Sequence, residues 1–272
     1  MVRVGWIFSL VRSGSSVTSY ACAAPWKLAV ADEPFGPWDR TGAPYNLPPI
    51  QRDLVRAFVA MGHTLSAEVV GMANEMFRIL AERGEGGRVV CKCPHLLFDL
   101  EDFDTWFGGQ SHDVTHRCLG LVRNPLHRVN SAYARGWEHV LNDPFEIEVY
   151  RTFLRRWNRM PNRFRLDDVT GDAASTFQAM HKSLGFGGTA ADAAASAAYL
   201  AETYHASSAE ISDERPTKPV SESGWAAPHE VADVYLADDE INGFMREQRW
   251  STRRSAYVGS PLRSIMRTLL AT

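Results

Sequence analysis

One arginine, three serines and a glycine at Arg12-Ser13-Gly14-Ser15-Ser16 make the segment of this chain best suited to chemistry. An apolar run rich in β-branched and aromatic residues, Val2 to Val11, leads into it and reads as a buried strand. A helix-compatible stretch from Val17 to Ala24 follows. Strand, small-residue turn and helix N-terminus together form an anion cradle: backbone N–H groups converge on the charge and the helix dipole favours it. Gly14 lets the backbone approach closely, and the serine hydroxyls add donors. Laid over G-x-x-x-x-G-K-[ST], the segment has Ser9 at the first glycine, Gly14 at the second, Ser15 at the lysine and Ser16 at the metal-binding hydroxyl. The lysine of a nucleoside-triphosphate enzyme is replaced, and Arg12 supplies a cation from the other side of the glycine.

A second buried strand, Arg117 to Val122, ends in Arg123-Asn124-Pro125. Asn124 is a good helix cap and Pro125 suits a first helical position, so a helix is predicted from Pro125 to about His139. Ser131 then lies two turns in, near the face that carries Arg128 and Arg135. A strand-end arginine and a helical serine can grip a second anionic group. A kinase-like strand would end in a carboxylate for magnesium, whereas this one delivers a cation, which predicts an anion site without a metal.

At these residues the chain resembles the sulfotransferases that use 3′-phosphoadenosine 5′-phosphosulfate (PAPS). Arg12 to Ser16 is similar to the R-S-G-T-S loop of bacterial members, and Leu121-Val122-Arg123-Asn124-Pro125 with Ser131 is similar to their L-V-R-D-P…S pattern. Val89 to Leu96, containing Lys92-Cys93-Pro94-His95, resembles a strand ending in K-x-P-x-x-L. Arg163 to Val169, followed by Ser175 to Phe186, resembles the R-Y-E-D-L turn and the helix ending in L-G-F. The resemblance covers Val2 to Phe186. It implies a three-layer α/β fold, with a central, mainly parallel sheet flanked by helices and a P-loop-like phosphosulfate loop. It further implies that Arg12, Ser13, Gly14, Ser15 and Ser16 hold the 5′-phosphosulfate and that Arg123 and Ser131 hold the 3′-phosphate. PAPS would be the co-substrate, with no metal. The family's late R-K-G segment has no counterpart here; Arg253 and Arg254 are the basic residues in that region.

Sulfuryl transfer needs an in-line arrangement, stabilisation of charge on the leaving phosphate oxygen, and removal of the acceptor proton. Arg12 and the loop amides suit the second task. For the third, His95 and Lys92 sit at the carboxyl end of a strand, where open α/β sheets bind ligands, and histidine is a competent base near neutral pH. Asp32, Glu33 and His63 are the reserve candidates. The other histidines have no motif context and read as surface or packing residues. Two further readings stay open: a P-loop-like nucleotide or small-molecule kinase, and a catalytically silent nucleotide-binding protein of the same fold.

Composition bounds the rest. A chain of 272 residues can form one large α/β domain; the expectation is a single domain over 1–272, with a core at 1–186 and a helical, mobile part at 187–272. A formal net charge of -3 gives no global basic bias, which argues against a nucleic-acid partner. No apolar run reaches the roughly 18–20 residues of a membrane span, and the N-terminal run lacks a signal-peptide end. Cys22, Cys91, Cys93 and Cys118 do not suggest a disulfide framework or zinc spacing, and point to the cytoplasm.

The elements around the motifs follow from spacing. Pro25 to Pro49, rich in Pro, Gly and aromatics, is predicted to be a long loop that either lines the pocket of a small-molecule or glycan acceptor or is a surface excursion pinned by its aromatics. Pro48 to Ala60, Thr64 to Arg83, Thr189 to Ala201 and Asp238 to Gln248 are predicted helices. Ser207 to Pro228 is polar and Pro/Ser-rich, and is predicted to be a flap.

Overall fold

The computed structural model describes residues 1–36, 38–43, 45–93, 103–108, 113–134, 136, 144–210, 227 and 229–253. Five parallel strands form its sheet in the order β2-β3-β1-β4-β5: β1 Val2–Phe8, β2 Ala29–Asp32, β3 Arg88–Cys93, β4 Val114–Val122 and β5 Arg163–Arg165. Side chains alternate across the central strand, as the pleat requires. Val4, Trp6 and Phe8 enter one apolar layer, and Ile7 enters the other. Both faces are covered, so a strand such as β1 reads as a continuous apolar run rather than an alternating one.

On the first face pack α2 (Ile50–Ala60) and α3 (Ala67–Arg83), together with α4 (Pro125–Tyr133), α5 (Pro144–Arg159), α9 (His229–Ala237) and α10 (Asp239–Glu247). On the second pack α1 (Ser15–Ala23), α6 (Leu166–Gly171), α7 (Ala173–Ser183) and α8 (Ala190–Glu210). A cluster of Trp6, Phe8, Phe35, Phe77, Phe103 and Phe107 centres the first layer. His116 joins it in neutral form: the Trp6 indole donates to its Nδ1 at 3.1 Å, its Nε2 meets Asn74 Oδ1 at 3.0 Å, and burial depresses its pKa to about 3.

Local chemistry sets the helix starts. Ser66 Oγ accepts from the Val69 N–H ahead of α3, and Asp238 Oδ1 accepts from Ile241 ahead of α10. Thr189 and Asp192 exchange bonds as a capping box, with the Asp192 carboxylate accepting from the Thr189 N–H and the Thr189 hydroxyl from the Asp192 N–H.

The structure changes three sequence-based expectations. The stretch from Pro25 to Pro49 is not loop throughout: Ala29–Asp32 forms edge strand β2, too short and too poor in large residues to stand out in a Pro/Gly-rich background. The helix after Asn124 ends at Tyr133, where Gly136 at φ 70° donates its N–H back to the Tyr133 carbonyl; His139, its expected end, lies outside the described residues. The alanine-rich helix runs on to Glu210, with its apolar residues packed against α1 and α7.

Candidate anion site at the ends of the central strands

Strands β1 and β4 are neighbours whose connections leave in opposite directions, β1 toward β2 and β4 toward β5. A crevice opens at the carboxyl ends of such a pair, the usual ligand position in open α/β sheets. The two sequence motifs occupy it.

After β1 the chain turns through Arg12 at φ 66° and Gly14 at φ 78°, both left-handed, with the Ser13 N–H bonded to the Leu10 carbonyl. Helix α1 starts at Ser15, two residues earlier than predicted, so Ser15 and Ser16 belong to its first turn. Gly14 is the N-cap, and no side chain caps this helix. The first-turn amides are therefore left for an external acceptor. Gly14 is required twice over. Its φ strains any other residue, and a Cβ there would come within 2.6 Å of Leu166 Cδ1, which α6 presses against the loop.

After β4, Asn124 caps α4 as its sequence predicts, its Oδ1 accepting from Leu126 N at 3.0 Å and His127 N at 3.3 Å. Arg123 and Ser131 are thereby held over the loop. Arg12 Nη2 donates to Ser131 Oγ at 3.1 Å, and Arg123 Nη1 donates to the Arg12 carbonyl at 3.1 Å. Arg12, Arg123 and Ser131 thus meet across more than 110 residues of sequence, |i−j| being 119 and 111. Among the described residues Arg123 forms no ion pair with a carboxylate, and burial lowers its pKa. A cation desolvated without a matched carboxylate favours binding an anion. Burial and the Arg123 charge likewise depress the pKa of His127, with Asp167 opposing them.

The buried hydroxyls of Ser9 and Thr18, which flank the loop, have no hydrogen-bond partner among the described residues. Arg128, three residues before Ser131 on the same helix, is buried like it, with its guanidinium 5.3 Å from the Tyr150 ring centroid. Arg135 lies outside the described residues.

Lys92 does reach the carboxyl end of its strand. Its ammonium donates to Asp32 Oδ1 and Glu33 Oε1, both at 2.8 Å. Burial acts to lower its pKa, but the two carboxylates outweigh it and hold the group above its ordinary value. Glu33, at φ 54°, is also paired with Arg40, whose guanidinium lies 3.9 Å from the Tyr45 ring centroid and 5.3 Å from that of Trp38. Tyr20, on the helix that follows the anion loop, donates to Asp32 Oδ2 at 3.4 Å, and burial with the Asp32 charge raises its pKa. Lys92, Asp32, Glu33 and Arg40 make one neutralised cluster beside the crevice. Arg40 carries no motif; the signal for it was its place in an aromatic, Pro/Gly-rich segment.

The remaining site expectations separate. His95 lies outside the described residues, as do Arg254 and most of the predicted flap at 207–228. His63 stands at the turn after α2, with its N–H bonded to the Phe58 carbonyl and its ring edge-on to that of Phe58 at 5.4 Å. Arg253 is exposed. All four cysteines are buried and none is in a disulfide. Among the described residues no three His, Cys, Asp or Glu side chains are grouped to hold a metal, and no helix is long and apolar enough to cross a membrane.

No family model and no curated protein matches this sequence. Solved structures do. The chain is similar to the sulfotransferase domain from the curacin biosynthetic pathway, at 12% identity and TM-score 0.42 over 92% of this chain and 99% of that one. It is similar to retinol dehydratase in complex with androsterone and the inactive cofactor PAP, at 13% identity and TM-score 0.48 over 89% and 80%. It is also similar to the sulfotransferase domain of the Synechococcus PCC 7002 olefin synthase, at 14% identity and TM-score 0.43 over 91% and 94%.

Proposed function

We propose that this chain is a sulfotransferase that takes the sulfuryl group of PAPS and passes it to a hydroxyl or amine of a small-molecule or glycan acceptor. The meeting of Arg12, Arg123 and Ser131 at the ends of β1 and β4 carries this reading. Two cations and a hydroxyl converge on a helix N-terminus that lacks a Walker lysine, an arrangement for two anionic groups on one ligand. Arg12 and the amides of Ser13 to Ser16 hold the 5′-phosphosulfate, and Arg123 with Ser131 holds the 3′-phosphate.

In transfer, the acceptor heteroatom bonds to sulfur as the bond from sulfur to the phosphate oxygen breaks. Arg12 and the loop amides stabilise the charge left on that oxygen. His95 takes the acceptor proton. Lys92 is the neighbouring cation, and its pairing with Asp32 and Glu33 keeps it protonated. Trp38, Arg40 and Tyr45 place an aromatic and polar wall beside Glu33, which supports an acceptor pocket on that side. The buried thiols support a reducing, cytoplasmic setting.

Titration calorimetry with adenosine 3′,5′-bisphosphate and adenosine 5′-phosphate tests the assignment. The bisphosphate binds more tightly, by about ten- to a hundred-fold for one charge-assisted phosphate contact; equal affinities overturn the reading. The base is tested separately. His95→Ala lowers kcat by about 10²–10⁴-fold and removes a single ionisation from its pH profile. If that variant keeps more than about a tenth of the activity, the base is sought at Glu33, the more exposed of the two carboxylates beside Lys92.

A further inference from the structure

Arg12 is not a glycine, yet it is held at φ 66°. For an L-residue this left-handed conformation costs about 1–2 kcal/mol and persists only where the surroundings enforce it. Two bonds bracket the peptide that follows it: the Ser13 N–H donates to the Leu10 carbonyl and closes the turn, and the Arg12 carbonyl accepts from Arg123 Nη1 at 3.1 Å. Arg123 is restrained in turn, because its own carbonyl accepts from the Tyr150 hydroxyl at 3.1 Å. Tyr150 comes from α5, 27 residues further along, and is 1% exposed. Its ring is edge-on to Tyr235 at 6.1 Å, and the Arg128 guanidinium lies over it. Burial raises its pKa, so it is a neutral donor across the working range.

We infer that Tyr150 is a positioning residue of the anion loop: its hydroxyl fixes the end of β4 so that Arg123 holds the Arg12 carbonyl and the loop keeps its amides on one anion. Arg123 then has two tasks, as a ligand for the 3′-phosphate and as a brace for the loop that holds the 5′ side. The two anion subsites are one mechanical unit. This role adds to the proposed function, and its nucleotide test rests on that reading.

Tyr150→Phe keeps the buried ring and deletes the hydroxyl. Hydrogen exchange of the ligand-free variant is expected to rise in the peptide spanning Ser9 to Thr18 by about 2- to 10-fold, the equivalent of one neutral hydrogen bond. Peptides of α3 and β3 stay unchanged. Arg123→Lys, which replaces the planar fork with a point charge, loosens the same loop peptide. Loop exchange unchanged in both variants overturns the inference, and so does loosening spread evenly over α3 and β3.

A double-mutant cycle then separates a positioning role from a merely structural one. Tyr150→Phe weakens adenosine 3′,5′-bisphosphate binding by about 2- to 10-fold in the wild-type background and has no further effect in Arg123→Ala. A full effect in both backgrounds overturns the route through Arg123. If the wild-type protein binds no nucleotide, the proposed function falls, while the exchange result still decides what Tyr150 does.

Discussion

Two pairs of strand ends lie side by side in this sheet and treat their cations in opposite ways. At the ends of β2 and β3, Lys92 is surrounded: Asp32 and Glu33 accept hydrogen bonds from its ammonium, and Arg40 takes the other side of Glu33. At the ends of β1 and β4, Arg123 donates to a backbone carbonyl of the loop, and no carboxylate among the described residues forms an ion pair with it, although the Asp167 charge acts on it. The first cluster pairs two cations with two carboxylates. The second holds a buried cation that no carboxylate pairs with among the described residues. Motif position alone makes Lys92 and Arg123 look alike, since each ends a parallel strand beside the same crevice.

The contrast breaks most visibly at Lys92. Lys92→Met leaves Asp32, 1% exposed, beside Glu33 without their shared cation. Removing one partner of a buried ionic cluster costs about 3–5 kcal/mol, so a large fall in Tm is expected in differential scanning calorimetry. The sign of the pH dependence follows. Lys92 has a folded pKa above its unfolded value of about 10.4, so its contribution is complete below that pH and is lost as pH rises through the folded pKa. The wild-type protein should therefore lose stability in strong alkali more steeply than Lys92→Met. Parallel alkaline limbs would mean that the cluster is not the balanced element described here.

Arg123→Ala should behave in the reverse manner, with a smaller Tm change and a larger loss of binding. Losing a charge-assisted contact to phosphate costs about 1.5–3 kcal/mol, or ten- to a hundred-fold in affinity. Because Arg123 also braces the Arg12 carbonyl, calorimetry should show losses for both adenosine 3′,5′-bisphosphate and adenosine 5′-phosphate. Ser131→Ala sharpens the assignment, since it removes the hydroxyl that accepts from Arg12 but leaves the Arg123 brace on the Arg12 carbonyl in place. It should weaken the bisphosphate selectively, by about 2- to 10-fold for one neutral hydrogen bond. An Arg123→Ala protein that destabilises as much as Lys92→Met would erase the distinction between the two strand ends.

The smallest expected effect is none. An anion site completed by arginines has no step that calls for a divalent ion, so sulfuryl transfer should persist in excess EDTA. Loss of activity that magnesium restores would favour a kinase-like reading and place a carboxylate-bound metal in the crevice.

Legibility in the sequence followed the range of the physics. Strand β1, the left-handed glycine of the loop and the Asn124-Pro125 helix start are written in neighbouring residues, and the structure contains each of them. So is the cap at Ser66, although the helix was expected to start earlier, at Thr64. Strand β2 was missed because four residues, Ala-Val-Ala-Asp, carry no usable period; its strand character comes from pairing with β3. The early end of α4 did have a local sign in Gly136, outweighed by the apolar and helix-forming residues before it.

By itself, then, the sequence determined the buried strands β1, β3 and β4 and where a helix N-terminus meets a small-residue turn, with Arg12, Arg123 and Ser131 beside those turns. Those properties depend on propensity and period over a few residues. Tertiary structure decided which cations are spent and which remain. Lys92 meets carboxylates 59 and 60 residues away, Arg123 reaches the Arg12 carbonyl across 111, and Tyr150 comes from a separate helix to hold it. An ionic side chain's role is set by the charges within a few ångströms of it, and chain topology alone brings those charges together.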